Sequence, residues 1–83
     1  MVDEARLKRI LEDVFGIPEG SVDDNTSQDN VPSWDSIHHV NLVVSLEEEF
    51  GVTIPDDDAG QITSYKLIRL VLEEQLRARD ENS

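Results

Sequence analysis

The sequence predicts an all-α fold: a small four-helix bundle with three main helices, one short third helix and a long loop between the first two helices. Apolar residues recur at the spacing of one helix face in three separate segments, with capping residues at the segment ends. No stretch shows the strict alternation of a paired strand. A chain of 83 residues has room for one modest core. We therefore expect residues 1–83 to form a single domain, with residues 80–83 frayed.

The first helix is predicted over residues 3–15, where the apolar positions between Leu7 and Val14 repeat at helical spacing. Residues 16–35 then form a loop, which is long for so small a domain and therefore needs side chains anchored in the core. We expect Trp34 to be one of these anchors, because a large ring is rarely left fully in water. The predicted anchors are Ile17, Val22, Val31 and Trp34.

The second helix is predicted from Ser36 to Phe50. One side of its helical wheel gathers the residues expected to face inward: His39, Val40, Val43, Leu46 and Phe50. Ile37 and Val44 fall on a neighbouring sector, flanked by Asn41 and Glu48. This sector either packs on a second neighbour or forms an exposed stripe for a partner, and for Ile37 and Val44 we favour the stripe.

The rest of the chain predicts one short helix and one long helix. Gly51 is placed to end the second helix, and Asp56 to begin a short helical turn that finishes near Gly60. The last helix is predicted to start at Thr63 or Ser64 and to reach about Arg77.

The charge of the chain is strongly negative and unevenly placed. The formal net charge is −12, and residues 10–65 contain thirteen Asp or Glu residues but neither Lys nor Arg. Nucleic acid is therefore a poor partner, whereas basic protein surfaces are good ones. The sequence has no long apolar run and no signal peptide, so we expect no membrane insertion and a cytoplasmic location.

Two kinds of chemistry fit the sequence poorly. The acidic clusters do not match an EF-hand, because counting from Asp56 places Gln61 where the loop needs glycine and Leu67 where it needs glutamate. Ser36 could only act as a nucleophile with His38 or His39, which project in different directions from the helix, and so small a bundle offers no substrate cleft. We therefore expect neither a metal site nor a catalytic site, and no enzyme activity.

Ser36 nevertheless stands at a chemically useful position. Asp35 and Ser36 are successive N-cap residues after Pro32, so the Ser36 hydroxyl lies among backbone N–H groups that lack partners within the helix. This end of a helix favours negative charge, and a phosphate on Ser36 would be stabilised there.

The motifs around Ser36 resemble those of the acyl carrier protein family. Asp35-Ser36-Ile37 is similar to the Asp-Ser-Leu hallmark of that family, and it is followed at the right distances by the segments 46–50 (Leu-Glu-Glu-Glu-Phe) and 54–56 (Ile-Pro-Asp). The resemblance is dense from residue 35 to residue 63. It implies that Ser36 carries 4′-phosphopantetheine, transferred from coenzyme A, whose thiol holds acyl groups as thioesters.

The resemblance also implies roles for the residues around Ser36. Those expected to dock partner enzymes are Asp35, Ile37, His38, Asn41, Val44, Glu47, Glu48 and Asp56. Those expected in the core or along an acyl pocket are His39, Val40, Val43, Leu46, Phe50, Ile54, Ala59, Ile62 and Ile68. The implied partners are a phosphopantetheinyl transferase and acyl-activating, acyltransferase or ketosynthase-type enzymes with basic docking surfaces, acting on a monomer.

Four residues depart from the pattern of carriers in general fatty acid synthesis. Trp34, directly before the Asp-Ser motif, is more like the residue found in carriers of specialised pathways. His38 and Asn41 stand where such carriers have acidic residues, and His39 stands where a small residue borders the acyl pocket. We therefore interpret the chain as a specialised acyl carrier, of a lipid or secondary-metabolite pathway. An aminoacyl or peptidyl carrier is the first alternative, and an unmodified acidic adaptor that binds basic protein surfaces is the second.

Overall fold

The computed structural model describes residues 2–81, with side chains as far as Arg79, and is all-helical as the sequence predicts. The helices are α1 (Glu4–Phe15), α2 (Ser36–Phe50), α3 (Asp56–Ala59) and α4 (Tyr65–Glu81). The last helix extends beyond its predicted end at Arg77. Of the residues expected to fray, Asn82 and Ser83 lie outside the described part of the chain. No helix within residues 2–81 is long and apolar enough to cross a membrane.

The ends of α1 and α2 are fixed by local chemistry. Asp3 and Asp35 are the N-caps, and each carboxylate accepts a hydrogen bond from a backbone N–H in the first helical turn. Gly16 and Gly51 end the two helices with φ of 64°, a left-handed conformation that costs glycine little because it has no Cβ.

One hydrophobic cluster forms the core, and α1, α2 and α4 each contribute to it. The fully buried side chains are Leu7 and Leu11 of α1, Leu42 and Leu46 of α2, Ile62 before α4, and Tyr65, Ile68 and Leu72 of α4. The short helix α3 contributes no buried residue, and Ile54 and Ile62 enter the core from the segments on either side of it.

The long loop is anchored by side chains, as the sequence predicts. Val22, Val31 and Trp34 are buried, and the Trp34 ring stacks on Phe15 with 4.6 Å between ring centroids. The Ser33 hydroxyl donates to the Phe15 carbonyl at 2.8 Å, which satisfies an acceptor at the end of α1. The start of α2 is therefore held directly against α1.

The placement of Val40 in the core was wrong. Its side chain is 60% exposed, whereas Leu42, which the wheel did not assign to the core, is fully buried. The reason is rotational: the buried face of α2 is centred on Leu42, Leu46 and Phe50, spaced four residues apart, and Val40 lies beyond its edge. Val40 instead joins Ile37 and Val44 on the exposed side.

Candidate functional site

Ser36 is the first residue of α2 and its side chain is exposed. Asp35 precedes it in an extended conformation, with φ of −109° and ψ of −175°, and its Oδ1 accepts from the His38 backbone N–H at 2.9 Å. The Asp35 side chain therefore caps the helix without involving the Ser36 hydroxyl. That hydroxyl faces solvent at the positive end of the α2 dipole, where an attached phosphate would be stabilised.

Asp35 is also paired with the His38 ring. The His38 Nδ1 lies 2.7 Å from Asp35 Oδ1, so one carboxylate oxygen contacts both the backbone and the ring of the same residue. The backbone hydrogen bond, and then the ring, lower the pKa of Asp35 below its ordinary value. The ionised Asp35 stabilises the fold at pH values above that ordinary value, and its contribution is lost as the pH falls through the lowered pKa.

His39 faces inward, as the wheel predicts, and joins three parts of the chain. Its Nδ1 accepts from the Trp34 indole N–H at 3.0 Å, and its Nε2 lies 2.6 Å from the Ala59 carbonyl oxygen. His39 thereby connects α2 to the preceding loop and to the last residue of α3.

A shallow depression of about 340 Å³ lies beside Ser36 and opens to solvent. Its lining is formed by Gln28, Asp35, Ser36, His39, Val40, Gly60 and Thr63. The volume is at the lower end of the range typical of small-molecule sites. The depression thus offers space for a flexible group attached to the Ser36 oxygen.

An exposed apolar stripe runs along α2 away from Ser36. Ile37, Val40 and Val44 are 72%, 60% and 46% exposed, and Asn41 and Glu48 beside them are also exposed. Asp56, in the first turn of α3, is exposed as well. Large apolar side chains grouped in this way are typical of a surface that binds another protein.

Glu47, expected among the docking residues, has a structural contact. Its Oε2 accepts from the Ile54 backbone N–H at 2.8 Å, and its side chain is only partly exposed. The contact fastens the link after α2 to the body of that helix. Glu48 beside it remains exposed, so the two neighbouring glutamates have different environments.

The remaining residues expected in the core or pocket point inward. Leu46, Phe50, Ile54, Ile62 and Ile68 are buried, whereas Val43 and Ala59 are half-buried and pack against the core. Sequence reasoning did not find the hydrogen bonds of His39, because its partners lie in other elements. A signal was nevertheless present, since His39 and Trp34 are polar aromatic residues predicted to face the same core.

No group of three or more His, Asp or Glu side chains within residues 2–79 is arranged to hold a metal ion.

Comparison with known proteins agrees with this geometry. Residues 5–71 match the protein family described as "Phosphopantetheine attachment site", and the chain belongs to that family. The fold is also that of the holo acyl carrier protein of Geobacter metallireducens, solved by NMR in solution. The match has a TM-score of 0.82 at 23% identity and covers 94% of this chain and 90% of that one.

The protein is thus a carrier domain that holds covalently attached phosphopantetheine, and it is not itself an enzyme. When bound, this group supplies a thiol on a flexible arm, which a chain without cysteine lacks. The residues present fit such a group, because an exposed hydroxyl stands at a helix N-terminus beside an open depression.

Proposed function

We propose that Ser36 is the attachment residue and that the protein is an acyl carrier of a specialised pathway. The observation that supports this most is the position of the Ser36 hydroxyl, exposed at the first residue of α2 while Asp35 caps the helix. An anionic phosphodiester on this oxygen gains from the helix dipole and from unpartnered N–H groups. Acyl groups then travel as thioesters between partner enzymes.

The partners dock on the exposed stripe of α2. Ile37, Val40 and Val44 fit an apolar groove, and Glu48 beside them and Asp35 near Ser36 fit basic residues at its rim. The absence of Lys and Arg from residues 10–65 removes charges that would repel such a rim. The stripe begins one residue after Ser36, so a docked enzyme also faces the attached arm.

The partners that fit this surface are a phosphopantetheinyl transferase and acyl-activating, acyltransferase or ketosynthase-type enzymes. A carrier must leave each enzyme quickly, and an electrostatically steered contact of modest area permits rapid association and release. We place the protein in the cytoplasm, as a monomer.

The attachment residue is tested by intact-mass measurement after incubation with coenzyme A and a transferase of broad specificity. We expect the wild type to gain the mass of one phosphopantetheine group and Ser36→Ala to gain none. Ser45→Ala, which removes a partly exposed hydroxyl later in the same helix, is the matched control and should be modified like the wild type.

Two results would contradict the proposal. Modification of Ser36→Ala would move the attachment elsewhere, and an unmodified wild type would favour an acidic adaptor without the arm. The class of cargo is tested separately, by offering the holo protein activated fatty acyl or aminoacyl groups with their activating enzymes. Exclusive aminoacylation would replace the acyl carrier with an aminoacyl or peptidyl carrier.

A further inference from the structure

The two hydrogen bonds of His39 select one tautomer of its ring. The indole N–H of Trp34 can only donate, so the His39 Nδ1 must accept. The carbonyl oxygen of Ala59 can only accept, so the His39 Nε2 must carry the hydrogen. The tautomer with its hydrogen on Nε2 therefore satisfies both partners, and no buried side-chain nitrogen or oxygen within the described residues lacks a partner.

The bond to Ala59 holds α3, which has few other contacts with the core. The four residues of α3 include no buried side chain, and only Ala59 packs against the core. Ile54 and Ile62 anchor the segments on either side. The bond from His39 to Ala59 is thus a direct link from α2 to α3, and Trp34, stacked on Phe15, continues it to α1.

His39 also separates the depression beside Ser36 from the core. It lines the depression and is half-buried, and of the other lining residues only Thr63 is also half-buried while the rest are exposed. The fully buried Leu42, Ile62 and Ile68 lie outside this lining. A chain that passes from the depression into the core between α2 and α3 must therefore displace the His39 ring or the Ala59 carbonyl.

We propose that His39 closes the seam between α2 and α3, so that this carrier keeps its cargo in solvent and is suited to short or polar acyl groups. The proposal rests on the proposed function of Ser36. Cargo with hydroxyl, carboxyl or amino groups loses nothing by remaining in the depression, where Gln28 and Thr63 offer polar side chains.

The magnitudes set an approximate limit on the length of excluded aliphatic cargo. Breaking the two part-buried hydrogen bonds without replacement disfavours opening by about tenfold to a hundredfold for each bond. Each buried methylene favours opening by about fourfold. Hexanoyl has four methylenes and so gains about 250-fold on burial, and its exclusion therefore requires each bond to cost more than about sixteenfold.

The test uses hexanoyl and 3-hydroxybutyryl groups attached through phosphopantetheine, with the corresponding acyl-coenzyme A as the transferase substrate. Backbone amide NMR signals of Leu42, Ile62 and Ile68 report entry into the core. An acetyl group attached in the same way is the reference. In the wild type we expect both cargoes to give the same chemical shifts for these signals as acetyl does. In His39→Ala we expect hexanoyl, but not 3-hydroxybutyryl, to shift them.

Further variants separate the hydrogen bonds from the space that the ring fills. His39→Gln can again accept from Trp34 and donate to Ala59, so we expect it to exclude hexanoyl like the wild type. Trp34→Phe keeps the His39 ring but removes its hydrogen bond from the indole N–H, so it should admit hexanoyl in part. This variant replaces His39→Ala in the test if His39→Ala does not fold. Ser45→Ala, later in α2 and outside the lining of the depression, is the control variant and should behave like the wild type.

Three outcomes would overturn the proposal: hexanoyl that enters the wild-type core, hexanoyl that stays out of His39→Ala, or hexanoyl that enters His39→Gln as readily as His39→Ala. Failure to attach any cargo at Ser36 is visible as an unchanged mass and counts against the proposed function instead. Amide hydrogen exchange of α3 in the unmodified protein then tests whether the His39 hydrogen bonds hold α3 against α2. His39→Ala should exchange about tenfold faster there, and equal rates would overturn the closure.

Discussion

At the scale of single residues, adjacent positions on α2 differ in role because each projects 100° further around the helix. Glu47 and Glu48 are chemically identical, yet Glu47 accepts from the Ile54 backbone N–H while Glu48 is exposed. His38 pairs with Asp35 next to Ser36, while His39 bonds to Trp34 and Ala59. Residue type alone therefore does not distinguish a docking residue from a structural one.

The two glutamates offer a matched pair of substitutions. We expect Glu47→Ala to lower the free energy of unfolding by about 1–2 kcal/mol, because the Ile54 N–H loses a charged acceptor. Glu48→Ala should change stability by less than about 0.5 kcal/mol, as is usual for an exposed residue without such a contact. Urea unfolding measures both. Equal effects of the two substitutions would show that the Glu47 contact does not contribute to stability.

At the scale of secondary-structure elements, the termination of each helix fixes where the next segment begins. Gly16 and Gly51 share the same left-handed φ of 64°, but their surroundings differ. A Cβ on Gly16 would have no neighbour within 4 Å, whereas a Cβ on Gly51 would lie 3.1 Å from the guanidinium of Arg79. That guanidinium donates to the Phe50 carbonyl at 2.9 Å, so α4 helps to close the end of α2.

We expect Gly16→Ala to lower the free energy of unfolding by about 1 kcal/mol, because alanine is strained in the left-handed conformation and its Cβ meets no other group there. Gly51→Ala should cost about 0.5–1 kcal/mol more, because Arg79 must shift and its bond to Phe50 weakens. Denaturant titrations of the two variants give the difference. If Arg79→Ala combined with Gly51→Ala does not reduce that extra cost, the guanidinium is not its source.

At the scale of the whole molecule, one buried tyrosine connects the first and last helices. Tyr65 is fully buried, and its hydroxyl donates to Glu4 at 2.9 Å. Arg69 contacts Glu4 and Asp24, each at 3.1 Å, so α1, the long loop and α4 meet at this point. The tyrosine and then the arginine lower the pKa of Glu4, and burial, followed by the Glu4 contact, raises the pKa of Tyr65 to about 12.

This arrangement predicts a loss of stability in alkali. The folded protein keeps the Tyr65 proton up to a pH of about 12, whereas the unfolded chain releases it near the ordinary value of 10.0. The unfolded state therefore binds fewer protons over this interval, and stability falls as the pH rises through it, by up to about 2–3 kcal/mol.

Urea unfolding at a series of pH values from about 9 to about 12 measures this loss of stability, because the interval includes the ordinary and the raised pKa of Tyr65. Tyr65→Phe is the comparison, because it retains the ring and removes the titrating group. We expect the variant to be less stable at neutral pH and to lose less stability between pH 10 and 12. Parallel pH profiles for the two proteins would mean that Tyr65 is not responsible.

The sequence by itself determined the number and order of the helices, because hydrophobic periodicity, N-cap residues and the glycines that follow helix ends are local signals. Asp35 as a cap of α2, Gly51 at its end and Trp34 as a buried anchor follow from residue chemistry and neighbours along the chain. The carrier class also followed, since its motif is contiguous around Ser36 and the family match now shows it. Ser36 as the attachment residue remains a proposal with a direct test.

Only the tertiary structure decided which side of α2 is buried and what its polar residues contact. Val40, expected in the core, is exposed, and Leu42, which the wheel did not assign, is buried. The direction of the core depends on where α1 and α4 pack, and a wheel does not contain that information. The bonds of His39 and Glu47 likewise reach residues in other segments. Hydrogen bonds are short-range and directional, so contacts between distant segments become definite only when the helices are in position.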